Sequence, residues 1–327
     1  MQHSPLSPGP ASPAPSRLAR WLATASLFLW IASARPAAQT ASLASYQPRL
    51  QQLQSSADWA GLEQLARQAL GQILPANRAS TTDPLLVFAD PDFRRLPAAP
   101  KALPASAVTR SFSSYFRDGV PLADALLDVP ALPGTRAEGE ALEQALHGKP
   151  GSLLTGRDAS KAELMARNAD GRLAKVRVLE FATHGLVAGE ASDLAEPALL
   201  LAAGAAPEDE LLLASQAATL TLNADWVLLS ACNTASPDAP EAQGLSGLSR
   251  AFFYAGARSL LVSHWRVRDD VAPLLIPAML LAERDNPTTS RAQALRQATL
   301  AILDNRSLNA SDPAAWAPFT LVGEAGR

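Results

Sequence analysis

Three short runs constrain the fold of this chain more than any other feature: VRVLEFAT (Val176 to Thr183), WVLLSA (Trp226 to Ala231) and SLLVSHW (Ser259 to Trp265). Each is mostly apolar and rich in branched or aromatic residues, the pattern of a strand covered on both faces. Shorter runs of the same kind occur at LLVF (Leu85 to Phe88), SLLTG (Ser152 to Gly156), ALLLA (Ala198 to Ala202) and FTLVG (Phe319 to Gly323). Helical periodicity fills the intervals at Ala137 to Leu146, Ala159 to Arg167, Leu245 to Ala255 and twice more before Leu303. This alternation predicts an α/β fold with a largely parallel sheet and helices on both faces. Such sheets carry their sites outside the carboxyl ends of their strands.

The three principal runs end in chemically capable residues. VRVLEFAT stops at His184-Gly185, WVLLSA at Cys232, and SLLVSHW shortly before Arg268-Asp269-Asp270. Parallel neighbours lie about 4.8 Å apart, so adjacent strands would bring all three ends to one rim. Histidine titrates near neutrality and suits acid/base work. Cys232 stands where the chain leaves the sheet and polar Asn233 and Thr234 begin, whereas a merely structural cysteine behaves as a small buried hydrophobe. Gly185 is either an ordinary turn residue or a backbone donor which, with the N–H of Cys232, stabilises an oxyanion. Asp269 and Asp270 either cap the helix through Leu275 to Leu281 or pair with a basic substrate side chain. His264 and Trp265 read as packing residues or as support behind the site, and Glu208-Asp209-Glu210 as a solvated loop before a helical run.

Composition removes several alternatives. The 327 residues are 48% hydrophobic and 18% charged with net charge −3, which supplies ample core and no basic surface for nucleic acid. One cysteine cannot form an internal disulfide, and with four scattered histidines it gives no metal-ligand spacing. No P-loop, GxGxxG or GxSxG is present, so no cofactor is expected. Arg17 and Arg20 precede the apolar run Trp21 to Ala34, which closes on Ala32-Ser33-Ala34. Residues 1–34 therefore read as a secretory signal, with export to the periplasm or medium expected. The alternative is an uncleaved membrane-associated segment or a misassigned start, the latter leaving the protein in the cytoplasm. Within residues 42–78, Leu50, Leu53, Trp59, Leu62, Leu65, Ala66 and Leu70 outline an amphipathic helical hairpin. It resembles a single tetratricopeptide-type unit, a candidate surface for a protein partner.

With these residues assembled, the chain resembles the CHAT-domain family of the caspase- and separase-like cysteine peptidase clan. The matching segments are LLVFADPDF, LPGTRAEGEAL, VLEFATHG, PALLLA, LLSACNTA, GLSRAFFYAGARSLLVSHW and WAPFTLVGE, in that order between Asp83 and Glu324. The resemblance implies a caspase-like α/β domain over residues 83–325 and a His184–Cys232 dyad acting on protein or peptide substrates. It also implies a basic P1 residue recognised by Asp269 or, in a shifted register, Asp270. The chain departs from the family's usual pattern at Glu180, Ala235 and Arg266, and strands that usually precede LLVFADP are missing. That shortening is the ground for the alternative, a catalytically silent CHAT module serving as an interaction scaffold.

Overall fold

Alternation of side chains across the strands gives the sheet two cores. Leu86 and Phe88, Leu179 and Phe181, Val227 and Leu229, and Leu260 and Val262 enter one apolar cluster. Their neighbours Leu85, Val87, Val178, Trp226, Leu228 and Leu261 enter another. Because both faces are covered, no strand can expose polar residues at every second position, which accounts for the continuous apolar runs.

The computed structural model describes Gln52 and residues 81–94, 126, 129–191, 194–231, 234, 247–265, 267–308, 310 and 312–324. The expected signal segment, the hairpin apart from Gln52, and Cys232 lie outside the described residues. Among the described residues, no helix is long and apolar enough to cross a membrane.

The main sheet comprises β1 (Asp83–Pro91), β2 (Leu153–Gly156), β3 (Val176–Ala182), β7 (Trp226–Ser230), β8 (Ser259–Ser263) and β9 (Phe319–Gly323), in the order β2-β1-β3-β7-β8-β9. All neighbours are parallel except β9, which runs antiparallel along β8. A second, three-stranded antiparallel sheet is formed by β4 (Gly185–Leu186), β5 (Ala198–Leu200) and β6 (Leu211–Leu213).

One face of the main sheet is covered by α2 (Lys161–Ala169) and α4 (Gly247–Ala255), through Leu164, Leu248, Ala251 and Phe252. The other is covered by α1 (Pro133–Leu146), α5 (Ala272–Asp285) and α6 (Arg291–Asp304), through Leu142, Leu275, Ile276, Met279, Ala294 and Ala298. Local signals set the helix starts. Pro133 opens α1, the Ser160 hydroxyl accepts the Glu163 amide at α2, and Ser290 and Gln293 form a reciprocal capping box at α6. Phe88 stacks on Phe181 at 5.2 Å between centroids, and Phe181 meets Phe252 at 5.5 Å, so an aromatic column joins β1, β3 and α4.

The sequence-based expectation of an α/β fold with helices on both faces of a mostly parallel sheet agrees with this architecture. Some local readings need correction. The run ALLLA forms β5 of the small sheet, and Leu211–Leu213, expected to be helical, pairs with β5 before the four-residue helix α3 (Ala214–Ala217). Glu210 is buried and accepts the Gly204 amide at 3.2 Å, so only Glu208 and Asp209 of the acidic group are exposed. His264 and Trp265 are exposed instead of packed, because β8 ends before them at Ser263.

Candidate functional site

The order β3-β7-β8, all parallel, gives the three principal runs a common carboxyl rim. Ala182 pairs with Ser230, the last residue of β7. His184 follows Ala182 at the same interval at which Cys232 follows Ser230.

His184 is fully buried. Its Nε2 lies 3.0 Å from the carbonyl oxygen of Pro130. A carbonyl only accepts, so the proton of this hydrogen bond belongs to Nε2, and the acceptor nitrogen of the neutral ring is then Nδ1. The backbone on either side is fixed by the small sheet. Leu200 N donates to His184 O at 3.0 Å, and the Thr183 hydroxyl donates to Leu200 O. Phe93 packs obliquely against the imidazole with centroids 5.2 Å apart. Together with Leu132, Leu186, Leu200 and Leu211, Phe93 belongs to a third apolar cluster on this side of the molecule. Gly185 begins β4 and pairs with Leu199.

The segment bearing Pro130 is itself anchored. Thr135, in the first turn of α1, donates its hydroxyl to Leu132 O and accepts the Asp90 amide, both at 2.7 Å. Arg136 Nε donates to Asp90 Oδ2 at 2.9 Å. The carboxyl end of β1 therefore holds the connection that orients the histidine.

The adjacent carboxylates after β8 have different tasks. Asp269 is fully buried, and its Oδ2 accepts the Gly134 amide at 2.7 Å. Only glycine permits this approach, because a Cβ at position 134 would lie 2.0 Å from the Asp269 carbonyl oxygen. Asp270 instead receives Arg268 Nε on Oδ1 at 2.9 Å and Nη2 on Oδ2 at 2.7 Å. This bidentate contact holds the Arg268 guanidinium above its usual pKa, against an opposing effect of burial. Neither Asp caps the following helix, contrary to the alternative raised from sequence. The N-cap of α5 is Val271, without a side-chain hydrogen bond, because the turn carrying the two carboxylates aims one at α1 and the other at Arg268.

His184 and Asp269 are thus tied to a single connection, Pro130 to Gly134, whereas Asp270 is engaged elsewhere. Cys232 and Asn233 lie outside the described residues, while Ala231 and Thr234 on either side are buried. The contribution of Pro130 goes unread in the sequence, since it acts through a carbonyl that every residue possesses. Among the described residues no cluster of three or more His, Cys, Asp or Glu side chains could hold a metal ion.

A family model described as the CHAT domain matches residues 10–324, nearly the full chain. No curated protein matches it.

Proposed function

We propose that this chain, which belongs to the CHAT domain family, is a cysteine endopeptidase with His184 and Cys232 as its dyad. The family is associated with caspase-like, cysteine peptidase-type proteins. The observation that carries the reading is the hydrogen bond from His184 Nε2 to Pro130 O at the carboxyl end of β3. It selects the tautomer whose Nδ1 can take a thiol proton.

In the proposed cycle Cys232 transfers its proton to His184 Nδ1, and the thiolate attacks the scissile carbonyl carbon. The N–H groups of Gly185 and Cys232 receive the charge that develops on the carbonyl oxygen. His184 then returns the proton to the leaving amine, and the acyl-enzyme is hydrolysed by water activated at the same imidazole. For specificity we propose a basic P1 residue, Arg before Lys, because guanidinium binds carboxylate in a bidentate manner. Asp269 is the preferred partner, since it shares a connection with His184 while Asp270 already holds Arg268. We also propose that residues 1–34 direct export, which predicts a mature chain starting near residue 35, and that the hairpin at 42–78 binds a protein partner.

The second reading, a catalytically silent module, is favoured by the complete burial of His184, which a substrate would have to uncover. A fluorogenic peptide library assayed with the parent and with Cys232→Ala separates the two. The peptidase reading requires cleavage that disappears in the variant. Equal signals would overturn it.

A further inference from the structure

The strongest unassigned feature beside the proposed dyad is a group of buried hydroxyls where β7 and β8 part. Paired positions between these strands end at Leu228 with Leu261, although both strands continue. Beyond that point side chains replace the ladder. The Ser263 amide donates to Thr234 Oγ1 at 2.8 Å, and the Ser263 hydroxyl donates to Ala231 O. The two hydroxyl oxygens are 3.4 Å apart. From α4, the Ser249 hydroxyl donates to Thr234 O at 2.6 Å. Ser263 and Ser249 are fully buried, and Thr234 is 2% exposed. Ser263 is held from its other side by β9, where it pairs with Phe319.

Ala231 and Thr234 are the residues immediately outside Cys232-Asn233. One serine therefore fastens both sides of the segment that carries the chain's single thiol. Apolar side chains would fill this interior equally well, and buried hydroxyls are retained at a cost unless their hydrogen bonds are made. Such bonds are directional and fix a separation to within tenths of an ångström, whereas apolar packing tolerates sliding. A thiol and an imidazole exchanging a proton need that constancy.

We propose that Ser263 is a positioning residue for the Cys232 thiol, fixing Ala231 through its hydroxyl and Thr234 through its amide. The proposal rests on the reading of Cys232 as nucleophile, and its test does not require peptide cleavage. The chain has one cysteine, so alkylation by iodoacetamide reports on that thiol alone. The rate is measured against pH for the parent, Ser263→Ala, Thr234→Val and Thr234→Ser, alongside kcat and KM on the best library peptide.

A thiol held beside an imidazolium has a midpoint below the ordinary value of about 8.5, and one that drifts from it loses that effect. Ser263→Ala and Thr234→Val are expected to raise that midpoint towards about 8.5 and to lower kcat by about tenfold or more, with KM within about twofold. Thr234→Ser keeps the accepting oxygen and should stay within about threefold of the parent in kcat. Where Ser263→Ala fails to fold, the isosteric Thr234→Val carries the test. Parent-like midpoints in folded Ser263→Ala and Thr234→Val overturn the proposal, as does a parent thiol that titrates like an unstructured one. If the midpoint shifts and no peptide is cleaved by any form, the positioning role stands and the peptidase reading falls. If Cys232→Ala abolishes cleavage while the hydroxyl variants behave as the parent does, the positioning role falls alone.

Discussion

His184 and Asp269 hold opposite ends of one short connection. The imidazole Nε2 donates to Pro130 O at 3.0 Å, and the carboxylate accepts the Gly134 amide at 2.7 Å. A disturbance at the carboxylate is therefore expected to reach the histidine through Pro130 to Gly134. Loss of activity in an Asp269 variant would not by itself report substrate contact.

Asp269→Ala leaves the Gly134 amide without this acceptor, at a cost of about 1–3 kcal/mol in thermal or denaturant unfolding. The specificity proposal adds a separate expectation. Activity on Arg and Lys peptides should fall more than activity on matched neutral peptides, and Asp270→Ala should keep the basic preference. If both variants keep it, the carboxylates serve only the fold. If Asp270→Ala alone loses it, the register shifts by one residue.

Gly134→Ala tests the close approach at the same junction. A methyl group 2.0 Å from the Asp269 carbonyl oxygen forces α1 to withdraw. The expected cost is about 1–3 kcal/mol, in the range of other overpacking changes. Because α1 begins just after Pro130, peptide cleavage should fall as well, which a melting curve together with an assay on the surviving folded fraction would reveal.

Arg291 should be important for stability and dispensable for chemistry. It is 5% exposed, lies over the Trp226 ring at 5.1 Å, donates to Ser259 Oγ at 2.7 Å and faces Glu283 at 3.6 Å. Trp226 and Ser259 are the first residues of β7 and β8, so this cluster occupies the amino ends of the strands, away from the rim bearing His184. Arg291→Met should cost about 3–5 kcal/mol, the range for removing one partner of a buried ion pair. Its kcat, measured well below the lowered Tm, should match that of the parent.

Acid sensitivity should have a component at Asp92. A hydrogen bond from Arg94 is the main cause that holds this carboxyl below its usual range, with Arg157 3.1 Å from the other carboxylate oxygen. Since the folded-state pKa is the lower one, the stabilisation is present above the unfolded value of about 3.9 and is lost as pH falls through the folded value. Both arginines are about half exposed, at 53% and 49%, so solvent screens the pairing and its contribution is small. Asp92→Asn should melt slightly below the parent at pH 7 and converge with it once pH has fallen below the lowered folded-state value.

The legibility of this fold follows the length and burial of its elements. FTLVG is legible to its ends, Phe319–Gly323, and the rim shared by β3, β7 and β8 follows from their continuous apolar runs. The small sheet is not legible, because Gly185–Leu186 and Leu211–Leu213 are too short to display a period of two. The Ala-rich ASQA that follows Leu213 also extends a helical pattern backward over β6. At the site, His184 is marked by its position at a strand end. The carbonyl of Pro130 carries no side-chain signature, and nothing in the dipeptide Asp269-Asp270 tells which carboxylate turns inward. That choice depends on a turn geometry determined by Gly134, more than a hundred residues earlier.

The small sheet has a consequence for how relatives of this protein can diverge. The chain enters it after His184 and leaves it before β7, and among the described residues its strands pair only with one another. Changes in length or sequence there leave the ladder of β3 with β1 and β7 untouched while altering the apolar cover that reaches the histidine through Phe93, Leu186 and Leu200. What approaches the imidazole can thus be revised without refounding the scaffold that supports it. The short strands of the small sheet are a region where change is tolerated, set against a main sheet whose doubly buried strands permit little.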